Sequence, residues 1–330
     1  MKSALFYDYP PVEGDVFSTQ NRARVAAVTD LYPQVVTASN FEQHAAALAD
    51  VEVIFATWGM TRFEDHHFDA MPKLKAVFYA AGNVKAFAEP LIKRDVILVS
   101  AWQANAIGVA EMCLSQILLS LRGYFRTVRQ YREEKTFKAK QFARPGVQGE
   151  TIAMIGMGKI GQRLTHLLHD YPLKVIAYDP FLSAERAAQL NIELVDLDQV
   201  FSRAMVICNH MPDLPDTRGT LHRAHFAAMR DGATFVNTGR GAQVVEADLI
   251  EVLQNRPDLT ALLDVTWPEP PPPASLMWQL PNIVISPHIG GATGDEVVRL
   301  VDLVLGEFEA WRAGKPLQHQ VTAQVLATMG

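Results

Sequence analysis

Between Thr151 and His169 the chain passes from a short apolar run, Thr151 to Ile155, through Gly156-Met157-Gly158-Lys159-Ile160-Gly161 into a segment of helical periodicity. No other stretch restricts the possible folds as strongly. Glycines at that spacing permit a tight turn and a close backbone approach, and the following helix offers free amides and the positive end of its dipole to a pyrophosphate. By itself G-x-G-x-x-G also occurs as an ordinary turn in other α/β proteins; its place directly after a strand and at a helix start is what makes it a dinucleotide signal. Asp179 stands roughly 18 residues beyond Gly161, at the end of the next strand signal, where ribose hydroxyls would lie. The segment Tyr178-Asp179-Pro180-Phe181-Leu182 holds no arginine to receive a 2′-phosphate, and a carboxylate would repel one, so NAD is favoured over NADP.

The rest of the chain repeats the same alternation. Short runs such as Val51 to Ala56, Ala76 to Tyr79 and Lys174 to Tyr178 are separated by segments of helical period, which predicts parallel sheets covered by helices. Strand signals at Thr151, Lys174, Ile192, Met205, Thr234, Leu259 and Ile283 suffice for one complete doubly wound sheet. A long helical pattern runs from Asn105, a candidate cap, to about Lys140, with Val109, Met112, Cys113, Gln116, Ile117 and Ser120 on related faces and a break at Pro145-Gly146. A last helix, Asp295 to Arg312, presents Val298, Val301, Leu305, Phe308 and Trp311 along one face.

Composition narrows the function classes. With 330 residues, 49% of them hydrophobic, the chain can bury a large core and is expected to divide into two domains. A net charge of -6 argues against binding a nucleic-acid backbone. The recurrence of Arg122, Arg126, Arg129, Arg132 and Lys135 is broken by Glu133 and Glu134 and reads as a solvated or inter-subunit helix face. No apolar run reaches the roughly 18 residues of a membrane span, and Asp8 comes too early for a secretory signal, so a cytoplasmic protein without a membrane is expected. Cys113 and Cys208 both lie in apolar stretches and read as packed thiols. Asp65-His66-His67 lacks a partner histidine at helical spacing, so no metal site is expected.

Three later segments end apolar strands with polar residues, the place where open α/β sheets bind ligands. They are Asn237-Thr238-Gly239-Arg240-Gly241, Asp264-Val265-Thr266-Trp267-Pro268-Glu269-Pro270 and Ser286-Pro287-His288-Ile289-Gly290-Gly291, which supply a cation, acids and an imidazole. In that order, downstream of the glycine motif, N-x-x-R-G, D-V-x-x-x-E-P and S-P-H-x-G-G resemble the D-isomer-specific 2-hydroxyacid dehydrogenases over nearly the whole chain. The resemblance implies that Arg240 binds a substrate carboxylate and carbonyl, Glu269 orients the imidazole, and His288 is the acid/base. It further implies that Asp264 meets the nicotinamide end, that Thr238 and Met211 line the cofactor groove, and that Gly291 belongs with them. The expected partner is a small 2-keto or 2-hydroxy acid. The expected architecture is α/β, two Rossmann-like/flavodoxin-like domains with doubly wound parallel sheets and an interdomain active-site cleft: residues 1–100 plus 295–330 for substrate, and 101–294 for NAD. A homodimer through the long helix after Asn105 is likewise implied.

The chemistry accounts for these residue types. As hydride reaches a carbonyl carbon, charge grows on oxygen, and an imidazole within hydrogen-bond reach supplies the proton; in the oxidative direction it accepts the alcohol proton. A guanidinium grips a carboxylate by two parallel bonds and aligns the carbonyl. The first domain departs from the family pattern. In Ala80-Ala81-Gly82-Asn83-Val84-Lys85 the second glycine and the aspartate of the usual substrate loop are missing, leaving Gly82 and Asn83 as candidates to hold the carboxylate. Lys85 is an alternative anion contact, and Trp58-Gly59-Met60 a candidate pocket wall. Oxidation of formate or phosphite on the same scaffold, and a non-catalytic NAD sensor, are the rival readings.

Overall fold

The structure, a computed structural model, describes residues 1–8, 15–135, 137 and 145–329. The chain divides into two compact units, Met1–Gly108 with Ala292–Met329, and Val109–Gly291.

In the first unit β1 (Lys2–Phe6), β2 (Asp30–Val36), β3 (Val53–Ala56), β4 (Ala76–Tyr79) and β5 (Ile97–Ser100) form one sheet. Every pairing is parallel, in the order β2-β1-β3-β4-β5, the flavodoxin-like arrangement. Both faces are covered, which is why the central strands are apolar throughout instead of alternating with polar residues. Ile54, Ala56, Val77 and Tyr79 enter one core with Phe6, Phe41 and Phe63, and Val53, Phe55, Ala76 and Phe78 enter the other. The helix Val298–Arg312 seals this second core with Leu300, Val301, Val304, Leu305 and Phe308. The Phe308 ring stands edge-on to Phe55 at 5.3 Å and to Phe78 at 5.5 Å. Val298, expected on this face, is exposed instead. A tight 3-10 turn at Gly294–Val297 opens the segment and buries Val297, so the face begins one residue early and continues through Leu300 and Val304.

The second unit carries β6 (Thr151–Ile155), β7 (Lys174–Tyr178), β8 (Glu193–Leu194), β9 (Val206–Asn209), β10 (Thr234–Asn237), β11 (Thr260–Leu263) and β12 (Ile283–Ile285). Their order, β12-β11-β10-β9-β6-β7-β8, is parallel throughout. From β6 the chain winds outward to β7 and β8, then returns to lay β9 on the other flank. That reversal opens a crevice beyond the carboxyl ends of β6 and β9, where ligands of such sheets bind.

The long helical pattern after Asn105 is two helices, Trp102–Leu121 and Tyr124–Glu134. Gly123, at φ +64°, breaks them apart, a left-handed conformation that glycine adopts without steric cost. The Lys140 end of the predicted helix lies outside the described residues. Asn105 is not a cap, because the helix starts at Trp102; its side-chain oxygen instead accepts a bond from the Ala292 amide at 3.0 Å. Against the expectation that no apolar run reaches such a length, the helix Trp102–Leu121 is long and apolar enough to cross a membrane by length and composition; Gln103, Asn105, Glu111 and Gln116 space its apolar residues, so the stretch is apolar only on average. Its Val109, Ala110, Cys113, Ile117 and Leu121 belong to the second unit's core.

Candidate active site

At the end of β6, Gly156 takes φ +92° and passes so close to the end of β9 that a Cβ there would lie 2.9 Å from the His210 carbonyl oxygen. A Cβ on Gly161 would lie 2.5 Å from the Gly156 carbonyl oxygen, so this glycine lets the helix Lys159–Leu168 pack against its own entry turn. Gly158 differs from both. It is exposed, and a Cβ there would meet nothing within 4 Å. No side chain caps the helix, so the leading amides of a ten-residue helix face open space at Gly158, with no acid in the first turn to compete for them. This cradle fits a dinucleotide pyrophosphate. Lys159 is exposed at its lip and Ile160 is half-buried against the core. Asp179 tethers the turn: it accepts from the Met157 amide at 2.6 Å and the Phe181 amide at 2.8 Å. Two bonds leave acceptor capacity on the carboxylate for ribose hydroxyls.

Beyond β9 and β10 lies a buried amide network that sequence reasoning missed. Asn209 donates to Asn237 at 2.9 Å and to Gln243 at 2.6 Å, and Gln243 donates to the carbonyls of Met211 at 2.7 Å and Pro212 at 2.9 Å. The Gln243 oxygen also accepts from the Arg240 amide at 3.0 Å. These three side chains are almost wholly buried, and each finds partners, as burial of a polar group requires. They shape the turn that carries Arg240, and a glutamine three residues after Arg240 was the only signal. Gly241 packs directly on Thr266, so the Arg240 turn lies against the segment bearing Glu269. The Arg240 guanidinium donates to the Gly239 carbonyl at 2.7 Å. Burial pulls its pKa down, and the Asp213 and Glu269 carboxylates oppose that pull.

His210 also lies at the end of β9. Its Nδ1 is 2.9 Å from Thr238 Oγ1, which in turn is 3.5 Å from Cys113 Sγ, while its Nε2 is buried without a partner. Burial pushes the His210 pKa down to about 4 and the Cys113 thiol up to about 12, so both are neutral near pH 7. Met211 is buried beside the Gly156 turn.

His288 Nδ1 lies 2.7 Å from Glu269 Oε1, and both side chains remain accessible to solvent. Among the described residues the second ring nitrogen has no hydrogen-bond partner, so it is open to a ligand. Asp264, expected at the nicotinamide, is buried, and its carboxylate accepts from Ser286 Oγ at 2.6 Å, the Ile289 amide at 2.9 Å and the Gly290 amide at 2.8 Å. Gly291, half-buried, ends this loop.

In the first unit, Ser100 Oγ donates to the Ala81 carbonyl at 3.0 Å and the Gly82 carbonyl at 2.5 Å, which holds the turn beyond β4. A Cβ on Gly82 would crowd the Asn105 amide at 3.3 Å. Asn83 turns its side-chain oxygen inward to accept from the Lys85 amide at 2.8 Å. His67 stacks on Phe63 at 5.1 Å and takes a bond from the Glu64 amide, a packing role. Arg129 donates to the carbonyls of Pro257 and Pro281, so at least this member of the basic run is structural.

Residues 114–290 match the family model described as D-isomer specific 2-hydroxyacid dehydrogenase, NAD binding domain. The D-3-phosphoglycerate dehydrogenase of Mycobacterium tuberculosis is 34% identical over 248 residues, 72% of this chain and 47% of that protein. The chain spans about half the length of such curated relatives. Among solved structures, a phosphoglycerate oxidoreductase from Rhizobium etli superposes with TM-score 0.80 at 21% identity, covering 98% of this chain and 99% of that one. D-2-hydroxyisocaproate dehydrogenase gives TM-score 0.79 at 20% identity, covering 98% and 100%. At those identities the structures speak for the fold alone. The family match and the sequence identity go further: the chain belongs to the D-isomer specific 2-hydroxyacid dehydrogenases, with an NAD-binding domain at residues 114–290.

Proposed function

We propose that the protein transfers a hydride between NAD(H) and the 2-position of a small 2-keto or 2-hydroxy acid, with glyoxylate and hydroxypyruvate as the first substrates to test. The observation that carries this reading is the 2.7 Å contact between His288 and Glu269 in the unit that also holds Arg240 and the open Gly158 cradle. Bound NAD supplies the hydride donor or acceptor at its nicotinamide. The Gly156–Gly161 turn and the Lys159–Leu168 helix start would hold its pyrophosphate, and Asp179 its ribose, with Lys159, Ile160, Met211, Thr238 and Gly291 around it.

Arg240 binds the substrate carboxylate through its guanidinium fork, which fixes the carbonyl in line for attack. His288 gives a proton from Nε2 to the carbonyl oxygen as negative charge develops there, and takes it back in the oxidative direction. Glu269 accepts a hydrogen bond from the Nδ1–H of His288 and so keeps the other nitrogen directed at substrate. Gly82 and Asn83 of the first unit are the proposed substrate-binding residues there, and that unit is read as the substrate domain. A homodimer in solution belongs to the same reading, and sedimentation at micromolar concentration tests it.

The name its curated relatives carry makes D-3-phosphoglycerate a specific second substrate. NADH absorbance followed across glyoxylate, hydroxypyruvate, pyruvate and the 2-keto counterpart of 3-phosphoglycerate decides between them. Formate or phosphite reducing NAD, with all four keto acids inert, would overturn the keto-acid reading. NADH binding without turnover of any of these would favour a sensor.

A further inference from the structure

The turn that carries Gly82 and Asn83 leaves β4 between two strands that each run out into a hydroxyl. β4 pairs with β3 on one side and β5 on the other, with Tyr79 opposite both Ala56 and Ser100. Just past the end of β3, Thr57 Oγ1 donates to the Ala80 carbonyl at 3.0 Å. At the end of β5, Ser100 Oγ shares its one hydrogen between the Ala81 carbonyl at 3.0 Å and the Gly82 carbonyl at 2.5 Å. Both hydroxyl residues are buried, Ser100 completely, and among the described residues these three carbonyls have no other donor. A trans peptide is planar and points its N–H away from the carbonyl before it, and the peptides of this turn are trans. The Gly82 and Asn83 amides therefore both face away from Ser100. Neither has a hydrogen-bond partner among the described residues, and both residues are half-buried. The Asn83 side-chain oxygen is taken by the Lys85 amide, so it does not compete for them. Asn105 brings a further donor to the same turn: its oxygen accepts from the Ala292 amide, and its NH2 group would meet a Cβ on Gly82 at 3.3 Å.

We infer that Ser100 is a positioning residue for the substrate carboxylate: by holding two successive carbonyls on its own side, it presents the two following amides together on the other, as a seat for one anionic group. The inference rests on the reading of Gly82 and Asn83 as substrate-binding residues and adds the side chain that aims them. Neighbouring N–H groups without partners favour an acceptor that carries charge, because such hydrogen bonds are stronger than neutral ones. Without the hydroxyl, the Ala81 and Gly82 carbonyls lose the donor that fixes them and turn to find another. Each peptide plane is rigid, so the amides turn with them.

Ser100→Ala in the full chain tests this. KM for the best keto acid should rise about tenfold, roughly the loss of one hydrogen bond to a charged oxygen, while kcat stays within about threefold and the Kd for NADH within about twofold of the parent. Oxalate, an unreactive anion with the shape of a 2-keto acid, gives a readout independent of turnover. Titrated into the isotope-labelled parent saturated with NADH, it should shift the amide resonances of Gly82 and Asn83, and its Kd should rise about tenfold in Ser100→Ala. If Ser100→Ala does not fold, Ser100→Cys keeps the bulk of the side chain with only a weak donor, and should weaken both keto acid and oxalate severalfold at unchanged NADH affinity.

A KM or an oxalate Kd within about twofold of the parent would overturn the positioning role. So would oxalate shifts that spare Gly82 and Asn83, or a fall in NADH affinity that accompanies the rise in KM, the mark of a general loosening. If the parent oxidises NADH with no keto acid, the dehydrogenase reading fails by itself, and the oxalate titration still decides whether Ser100 aims the two amides.

Discussion

Replacing Gly241 with alanine adds one methyl group at the tightest point near the candidate site. Its Cβ would lie 2.5 Å from Thr266 Cα, with the Thr266 carbonyl carbon and oxygen closer still, whereas ordinary Cβ contacts begin at 3.4 Å. The obstacle is steric alone, since the φ of Gly241 lies outside the left-handed region. Backbone on one side or the other must retreat by roughly an ångström, and the two sides carry Arg240 and Glu269. A displacement of that size in a positioning group costs about 100-fold in rate, and forced overpacking costs about 1–3 kcal/mol of stability. Gly241→Ala should therefore lower kcat/KM for the best keto acid about 100-fold and lower Tm by a few degrees, while NADH affinity changes little. Steady-state NADH oxidation, a fluorescence titration with NADH and a thermal melt measure the three quantities. Retention of kcat/KM within about threefold, at unchanged Tm, would refute the claim that Gly241 sets the spacing between the Arg240 turn and the Glu269 segment.

Glu269→Gln keeps the size of the side chain but presents either an oxygen or an NH2 group to His288 Nδ1; kcat should fall by about 10–100-fold with NADH binding intact, checked by the same assay and titration. Gly161→Ala would place a methyl 2.5 Å from the Gly156 carbonyl oxygen, so the cradle should open and NADH affinity fall at least about tenfold, read by fluorescence. His210 provides a pH prediction. Burial holds its folded-state pKa near 4 against 6.5 for the free side chain. Between those values the unfolded chain binds a proton that the folded chain refuses, so this group lowers stability as pH falls through 6.5 to about 4, by about 3 kcal/mol in all, and its slope fades within about one pH unit above 6.5. Urea unfolding across that range should show a shallower acid loss for His210→Asn than for the parent.

The parts of the fold that were legible in the sequence are those written in local signals. β6 and β7 lie where short apolar runs predicted them, and the turn between β6 and its helix follows from glycine spacing. The segments holding Arg240, Glu269 and His288 were visible because each ends an apolar strand with a polar residue. What escaped was non-local or depended on a single torsion. Gly123 broke a helix whose periodicity reads straight through it, because a glycine can sit either inside a helix or past its end. Asn105 looked like a cap, yet its amide serves the chain returning at Ala292. The Asn209-Asn237-Gln243 network joins residues up to 34 positions apart, and nothing near any one of them announces the other two. The loop contacts of Asp264 escaped for the same reason, since its three partners lie more than 20 residues downstream on the next strand's loop.

The discontinuity of the first unit bears on synthesis. Its sheet is complete once β5 leaves the ribosome, but the lid over Phe55 and Phe78 is the helix Val298–Arg312, encoded after the whole of the second unit. At about 5–20 residues per second, the roughly 200 intervening residues leave that aromatic face uncovered for about 10–40 s. Nascent chains halted anywhere between Gly108 and Phe308 would thus present a sticky sheet surface to chaperones or to one another, and the second unit, contiguous in sequence, can fold while they wait.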